Sequence, residues 1–262
     1  MKNTTQTFDE LDRSLRRFET AHDHCVLPGL WMVARLDGRG FTRLTRELHP
    51  FQTPFDPAFR DLMASTTEHL MNCGFRFLYG YTQSDEISLL FHPQADEFNR
   101  KLRKLNSLLA GEASAVFSLA LGQAASFDCR ISQLPSRALV ADYFHWRQLD
   151  AARNALNAHC YWALRKGGQS VRAATAALEG LSTAAKNELL FQQGINFNEL
   201  PLWHKRGVGV YWTQVEKEGY NPLTQARVLA QRRLLHRELE LPMKDDYRAW
   251  LLGLFAGAEG NG

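Results

Sequence analysis

Residues 79–91 read Tyr79-Gly80-Tyr81-Thr82-Gln83-Ser84-Asp85-Glu86-Ile87-Ser88-Leu89-Leu90-Phe91. The aromatic run before Gln83 and the apolar run after Glu86 both have the composition of buried strands. The polar residues between them make a hairpin bend with two acids at it. Carboxylates held close together repel each other and lose hydration, a cost that a cation between them removes. A second acid has a similar setting. Trp31-Met32-Val33-Ala34-Arg35-Leu36 reads as a strand ending in Asp37, and Gly38 and Gly40 then allow a tight turn and a close backbone approach to a ligand. The hypothesis for the chain is that Asp37 and Asp85 meet and hold Mg²⁺ for phosphate chemistry. Mg²⁺ takes one or two carboxylates plus substrate phosphates and needs no dedicated protein cage. The competing explanation is two solvated turn acids in unrelated loops.

Working outward from the hairpin, the elements fall in a recognisable order. An amphipathic helix is expected over 7–20, a strand over 31–37, a short helical segment over 41–48 and a helix over 57–72 ended by Gly74. Strands over 75–82 and 86–91 form the acidic hairpin, followed by a long helix over 96–120, basic at its start, and a strand over 127–134. This is β-α-β-β-α-β, the ferredoxin-like pattern. In it the end of the first strand lies near the turn between the second and third, so topology brings Asp37 beside Asp85 and Glu86. Polymerase palms and nucleotide cyclases share this arrangement, and fold alone does not choose between them. The rest reads as helices over 141–166, 171–179 (capped by Ser170) and 183–193 (capped by Ser182 or Thr183), a strand pair over 207–215 and 226–238, and a helix near 244–255. The expected class is α+β: a palm over about 25–138 and a helical and C-terminal part over about 139–262, in one catalytic unit of 262 residues.

A hydrophobic fraction of 45% is enough for a proper core, and a net charge of +3 does not demand nucleic acid. Arginine outnumbers lysine 23 to 8, and its planar fork suits phosphates and bases, although a GC-rich coding sequence gives the same bias. Cys25, Cys73, Cys129 and Cys160 are dispersed without a CxxC, as in a reducing compartment. His22, His24 and Cys25 have no second ligand cluster and read as a loop. With a polar N-terminus and no long apolar run, a soluble, cytoplasmic protein is expected.

Six motifs in order carry a resemblance: Arg35-Leu36-Asp37-Gly38-Arg39-Gly40-Phe41, Gln83-Ser84-Asp85-Glu86, Phe127-Asp128-Cys129-Arg130, Asp142-Tyr143-Phe144-His145-Trp146-Arg147-Gln148, Lys186-Asn187-Glu188-Leu189-Leu190-Phe191, and Gly194-Ile195-Asn196-Phe197-Asn198 leading to Lys205-Arg206-Gly207. Over roughly residues 7–215 the chain resembles the tRNA-His guanylyltransferase family, the 3′–5′ nucleotide polymerases. The resemblance implies a palm with two Mg²⁺, ATP-dependent activation of a tRNA 5′ end, and attack on it by the 3′-hydroxyl of GTP or another nucleoside triphosphate. It implies Asp37, Asp85 and the Gly38 carbonyl as metal ligands and Glu86 as an essential acid behind them. Arg39, Gly40, Phe41, Ser84 and Asp56 are implied as the nucleotide site. Arg130, Arg147, Asn154, Lys186, Asn187, Lys205 and Arg206 are implied near RNA or phosphate, with a structural role the alternative for Arg130 and Arg147, and relatives imply a homotetramer. The basic group Arg100, Lys101, Arg103 and Lys104 is a further candidate for RNA contact.

Two departures bear on the substrate. Full members carry His-Ile-Asn-Asn where this chain has Ala152-Arg153-Asn154-Ala155, and a lysine expected before the first palm helix is Thr53. The loss of the His and last Asn is the pattern of bacterial and archaeal guanylyltransferase-like proteins. The expectation is therefore template-dependent addition to truncated tRNA. The alternatives are a single guanosine added to full-length tRNA-His, a different palm enzyme, or a non-catalytic RNA-binding module.

Overall fold

Along Trp31–Arg39 (β1), Met32, Ala34 and Leu36 alternate with Val33, Arg35 and Asp37. Successive side chains in a strand face opposite ways, so this strand needs cover on both sides. The computed structural model of the chain, which describes residues 6–221 and 226–259, supplies it. Phe77–Gln83 (β2), Glu86–Phe91 (β3), Ser126–Leu134 (β4), Val208–Asn221 (β5) and Ala226–Glu238 (β6) join β1 in one sheet of order β4-β1-β3-β2-β5-β6. Every pairing is antiparallel. The first four strands have the expected ferredoxin-like order, and the C-terminal pair extends the same sheet.

One face is covered by Pro57–Met71 (α3) and Leu102–Leu121 (α4), where Met32, Ala34, Leu36 and Leu89 pack with Leu109 and Phe117. On the other, Arg137–Lys166 (α5) and Lys244–Glu259 (α9) bring Phe144 and Tyr247 onto Val33, Tyr79 and Leu90. Val171–Leu178 (α6) and Thr183–Gln192 (α7) add a third cluster around Leu156, Cys160 and Leu190. Caps fix the helix starts: Asp56 accepts from Ala58 N with Pro57 in the first turn, and Ser136, Ser170 and Ser182 each accept from an N–H three residues on. The first helix, Phe8–Thr20 (α1), closes a capping box between Thr7 and Glu10 but buries none of its residues.

The long helix expected over 96–120 is broken at its start. Glu97–Arg100 is a 3₁₀ turn with positive φ at Phe98, Asn99 and Arg100, and α4 begins at Leu102. The basic residues at the break have partners within the chain. Arg100 is buried and donates to the Leu30 carbonyl, while Lys101 and Arg103 both bind Asp23. Arg100, Lys101 and Arg103 thus hold residues 23–30 against α4, with Arg100 buried and Arg103 still exposed. Likewise, the 141–166 helix starts four residues early because Ser136 caps it. Cys25 pairs in a bridge with Lys101, and among the described residues no three His, Cys, Asp or Glu side chains are placed to hold a metal ion, there or elsewhere.

Candidate active site

The β2–β3 hairpin closes through a two-residue turn, Ser84-Asp85, with Gln83 opposite Glu86. Ser84 takes φ 53, a conformation usual for glycine at such turns. A non-glycine residue held there costs of order 1–3 kcal/mol, and such positions concentrate at functional sites. The turn is tied to β1 by a hydrogen bond from Gly38 N to the Asp85 carbonyl, 3.0 Å. Across the sheet, Asp37 is in register with Glu86 on one side and Asp128 on the other. Residues directly opposite share a face, so three acids stand in a row at this end of the sheet, with Asp85 at the adjoining turn.

These acids divide into paired and unpaired. Glu86 is gripped by the Arg147 fork at 2.7 and 2.8 Å, with Arg35 3.9 Å away. Burial pushes the Glu86 carboxyl up and Arg147 opposes it. Arg147 also binds Asp150 at 2.9 Å, and Asp150 in turn takes Arg153 and Asn154. Among the described residues the side-chain partner of Asp85 is Ser84 Oγ, at 3.1 Å; burial pushes its carboxyl up, its own backbone N–H opposes this, and the Asp37 charge adds to it. Among the described residues the cation within ion-pair distance of Asp37 is Arg130, at 4.0 Å and bound more closely to Asp128. Asp37 and Asp85 are thus neighbouring carboxylates without close compensation. With the Gly38 carbonyl beside them they form a set of hard oxygen donors, the chemistry that suits Mg²⁺. Glu86 has both oxygens engaged by Arg147, with Arg35 close by.

Gly38 and Gly40 do separate work. A Cβ on Gly38 would lie 2.5 Å from the Phe41 ring, so the close approach allowed here is made by Phe41 and not by a ligand. Gly40 takes φ 72 and starts the short helix Phe41–Arg43 (α2), which runs into a π turn at Leu44–Leu48. The first N–H groups of that helix have no intrahelical acceptor and are available to an anion. Phe41 itself is buried, with Phe59, Phe117 and Phe127 around it. The acids open onto a cleft of about 990 Å³ lined by Asp37, Phe41, Asp56, Ser84, Asp85, Glu86, Arg147 and Asn154 among others.

Comparison with known proteins identifies this architecture. The family model described as tRNAHis guanylyltransferase matches residues 12–135, and that of the Thg1 C-terminal domain matches 138–243. A probable tRNA(His) guanylyltransferase of Mus musculus is 35% identical over 214 residues, 78% of this chain and 71% of the relative. The chain belongs to the tRNAHis guanylyltransferase family. It is therefore a nucleotidyltransferase. The tRNA(His) guanylyltransferase of Schizosaccharomyces pombe is 29% identical over 231 residues, 84% of this chain and 88% of the relative. A solved bacterial tRNA(His) guanylyltransferase (Thg1)-like protein in complex with ATP superimposes with a TM-score of 0.71 at 24% identity, covering 94% of this chain and 99% of that one. The Saccharomyces cerevisiae enzyme gives 0.69 at 25% identity, covering 82% and 94%.

Within this family fold, several expected RNA contacts stand elsewhere. Lys205, on Leu202–Arg206 (α8), is 7% exposed and donates to the carbonyls of Phe197 and Asn198 at 3.0 and 2.9 Å. Arg206 donates to the Leu241 carbonyl. Both tie the chain together: Lys205 is buried and Arg206 half-buried, each beside carbonyls that need donors. Lys186 and Asn187 lie on α7 outside the cleft lining, with Asn187 donating to the Thr183 carbonyl of its own helix. Arg39 stands exposed at the end of β1 and is not part of the lining. Arg147 holds acids and is little exposed. Two cleft residues carry roles that motif reading alone missed. Arg35 is two residues before Asp37 on the same strand face, and Asp150 is spaced three and four residues from Arg147 and Asn154 on α5. Strand alternation and helical spacing would have found both.

Proposed function

We propose that this chain adds nucleotides in the 3′–5′ direction to the 5′ end of tRNA, with template-directed repair of a shortened 5′ end as its task. The observation that carries the reading is the pair of uncompensated carboxylates, Asp37 and Asp85, at the head of a cleft large enough for more than a small metabolite. In the first step an oxygen of the tRNA 5′-phosphate attacks the α-phosphorus of ATP and pyrophosphate leaves. In the second the 3′-hydroxyl of a nucleoside triphosphate attacks the activated 5′ phosphorus and AMP leaves. Asp37 and Asp85, with the Gly38 carbonyl, would hold two Mg²⁺, which supply charge neutralisation at the attacking and leaving oxygens. The free N–H groups after Gly40 and the Ser84 hydroxyl bind phosphate oxygens, and Arg130 contributes positive charge at the rim. Glu86 and Arg147 hold α5 against the acidic end of the sheet. The palm and the C-terminal part act as one catalytic unit.

Template direction rests on Ala152 and Ala155. With small apolar side chains there, in place of a His and an Asn, the protein has fewer polar groups with which to recognise one tRNA, and base pairing with the opposing strand makes the choice. The test is kcat/KM for each of the four nucleotides on 5′-shortened tRNAs whose opposing base is varied. The preferred nucleotide should follow the template across several tRNAs. Preference for GTP regardless of template, on full-length tRNA-His alone, would return the activity named for the curated relatives. The same reading takes the chain as a homotetramer. The apolar stripe Phe8, Leu11, Leu15 and Phe18 on α1, exposed in the single chain, is surface such an assembly would cover. Light scattering of the purified protein decides this.

A further inference from the structure

Four arginines line the cleft, and three of them have carboxylate partners. Arg35 and Arg147 face Glu86, and Arg60 is bound to Asp61. Arg46 has no acid within ion-pair distance among the described residues. Its guanidinium lies instead over two rings of α5, 5.8 Å from the Tyr161 centroid and 5.5 Å from that of Trp162. The rings stand 5.4 Å apart at 84°, forming a corner in the cleft wall. Nothing in the two-step reaction uses this corner.

A structural role explains it poorly. A cation–π contact made by an exposed arginine stabilises little, because water competes for the cation. It also leaves the guanidinium N–H donors unspent. Arg46 sits within the π turn Leu44–Leu48, which departs from the regular helical ladder, and such turns often mark functional sites. The turn follows directly on the Gly40–Phe41 segment, so this arginine and the phosphate-facing N–H groups share one short stretch of chain.

We propose that Arg46, Tyr161 and Trp162 form a stacking platform for an unpaired nucleobase. The base lies on the Trp162 indole, the Tyr161 ring walls one side, and the Arg46 guanidinium covers the other face. Two stacking gaps of ~3.5 Å require ~7 Å between indole and guanidinium. From 5.5 Å, Arg46 has to lift by ~1.5 Å, which a long exposed side chain does by changing rotamer. Stacking accepts any base, since every base has a π face. A site of this kind therefore suits an enzyme that leaves base choice to pairing. The inference rests on the polymerase reading only in taking nucleotides as the ligands. The base comes either from a free nucleoside triphosphate or from an unpaired stretch of RNA.

The test is binding without turnover. Intrinsic tryptophan fluorescence of the full chain is followed while ATP, GTP or a short single-stranded RNA is added, for the native protein and for Trp162→Leu, Trp162→Phe and Arg46→Gln. Trp162→Leu should weaken whichever probe docks here by roughly tenfold and lose part of the quenching. Trp162→Phe should retain most of the affinity, and Arg46→Gln, at an exposed position that leaves folding intact, should weaken binding a few-fold. A change confined to ATP and GTP assigns the platform to the triphosphate's base; a change confined to the oligonucleotide assigns it to RNA. Native affinity for all three probes in both Trp162→Leu and Arg46→Gln overturns the proposal. Its failure is separable from that of the polymerase reading, which falls only if the native protein incorporates no nucleotide at a tRNA 5′ end.

Discussion

Replacing Arg147 by Met isolates the pair that supports the acidic end of the sheet. The side chains of Arg147 and Glu86 are 10% and 16% exposed, so solvent screens their contact only slightly. Removing one partner of a buried pair costs about 3–5 kcal/mol, because the other is left as an uncompensated buried charge. Two details put this case near the lower figure. Arg35 stays 3.9 Å from Glu86, and Asp150 keeps Arg153 at 2.5 Å. The expected loss is about 3 kcal/mol, which for a chain of this size lowers Tm by about 6 °C. Arg147→Lys should recover only part, since a point charge cannot reproduce two parallel bonds to one carboxylate. Glu86→Met combined with Arg147→Met should recover most of it, because the uncompensated charge is gone. Calorimetry and urea unfolding at neutral pH compare the native protein with both Arg147 variants, Glu86→Met and the double variant. The reasoning fails if Arg147→Met costs under about 1 kcal/mol, or if the double variant loses the sum of the two single losses.

Asp37→Ala and Asp85→Asn should each abolish Mg²⁺-dependent nucleotide addition, measured by incorporation of labelled nucleotide, without lowering the Tm of the metal-free protein. For Asp85→Asn the sign follows from linkage. Burial and Asp37 raise the folded carboxyl above its unfolded value, so ionised Asp85 destabilises the fold at neutral pH. The variant should then melt higher than native at pH 7, with the gap closing as pH falls through the carboxylate range; a gap that widens on acidification contradicts the assignment. Lys205→Met removes two charged hydrogen bonds to backbone carbonyls. It should cost about 3 kcal/mol in urea unfolding and leave the RNA dissociation constant of the folded protein unchanged. Weaker RNA binding at unaltered stability would restore Lys205 to the RNA surface.

Much of this was legible before the structure because the signals are local and periodic. The alternation in β1, the acidic bend at Ser84-Asp85 and the caps at Ser170 and Ser182 each depend on residues close in sequence, and the order of elements then brings Asp37 to the hairpin. What the sequence does not reveal is the partners of basic side chains. Lys205, Arg206, Arg100, Lys101 and Arg103 look alike as charges in a sequence, and their partners are backbone carbonyls or an acid distant along the chain. Whether a lysine faces solvent or a loop's carbonyls is decided by tertiary packing, which leaves no mark in neighbouring residues. Gly38 shows the same limit. A need for a missing side chain was readable, but the ring that fills the space comes from Phe41, folded back by the αL turn at Gly40.

The strand register carries a consequence for how this protein tolerates insertions and deletions. Leu36 reaches the core and Asp37 the acidic row through one and the same pairing of β1 with β3 and β4. Adding or removing one residue between Met32 and Leu36 would turn every later side chain of the strand over, sending an acid into the apolar layer and a leucine toward the cleft. A change of two would keep the faces but displace the acid by about 7 Å along the strand. No length change inside β1 therefore leaves the site intact: an odd one inverts the core as well, and an even one displaces the acid alone.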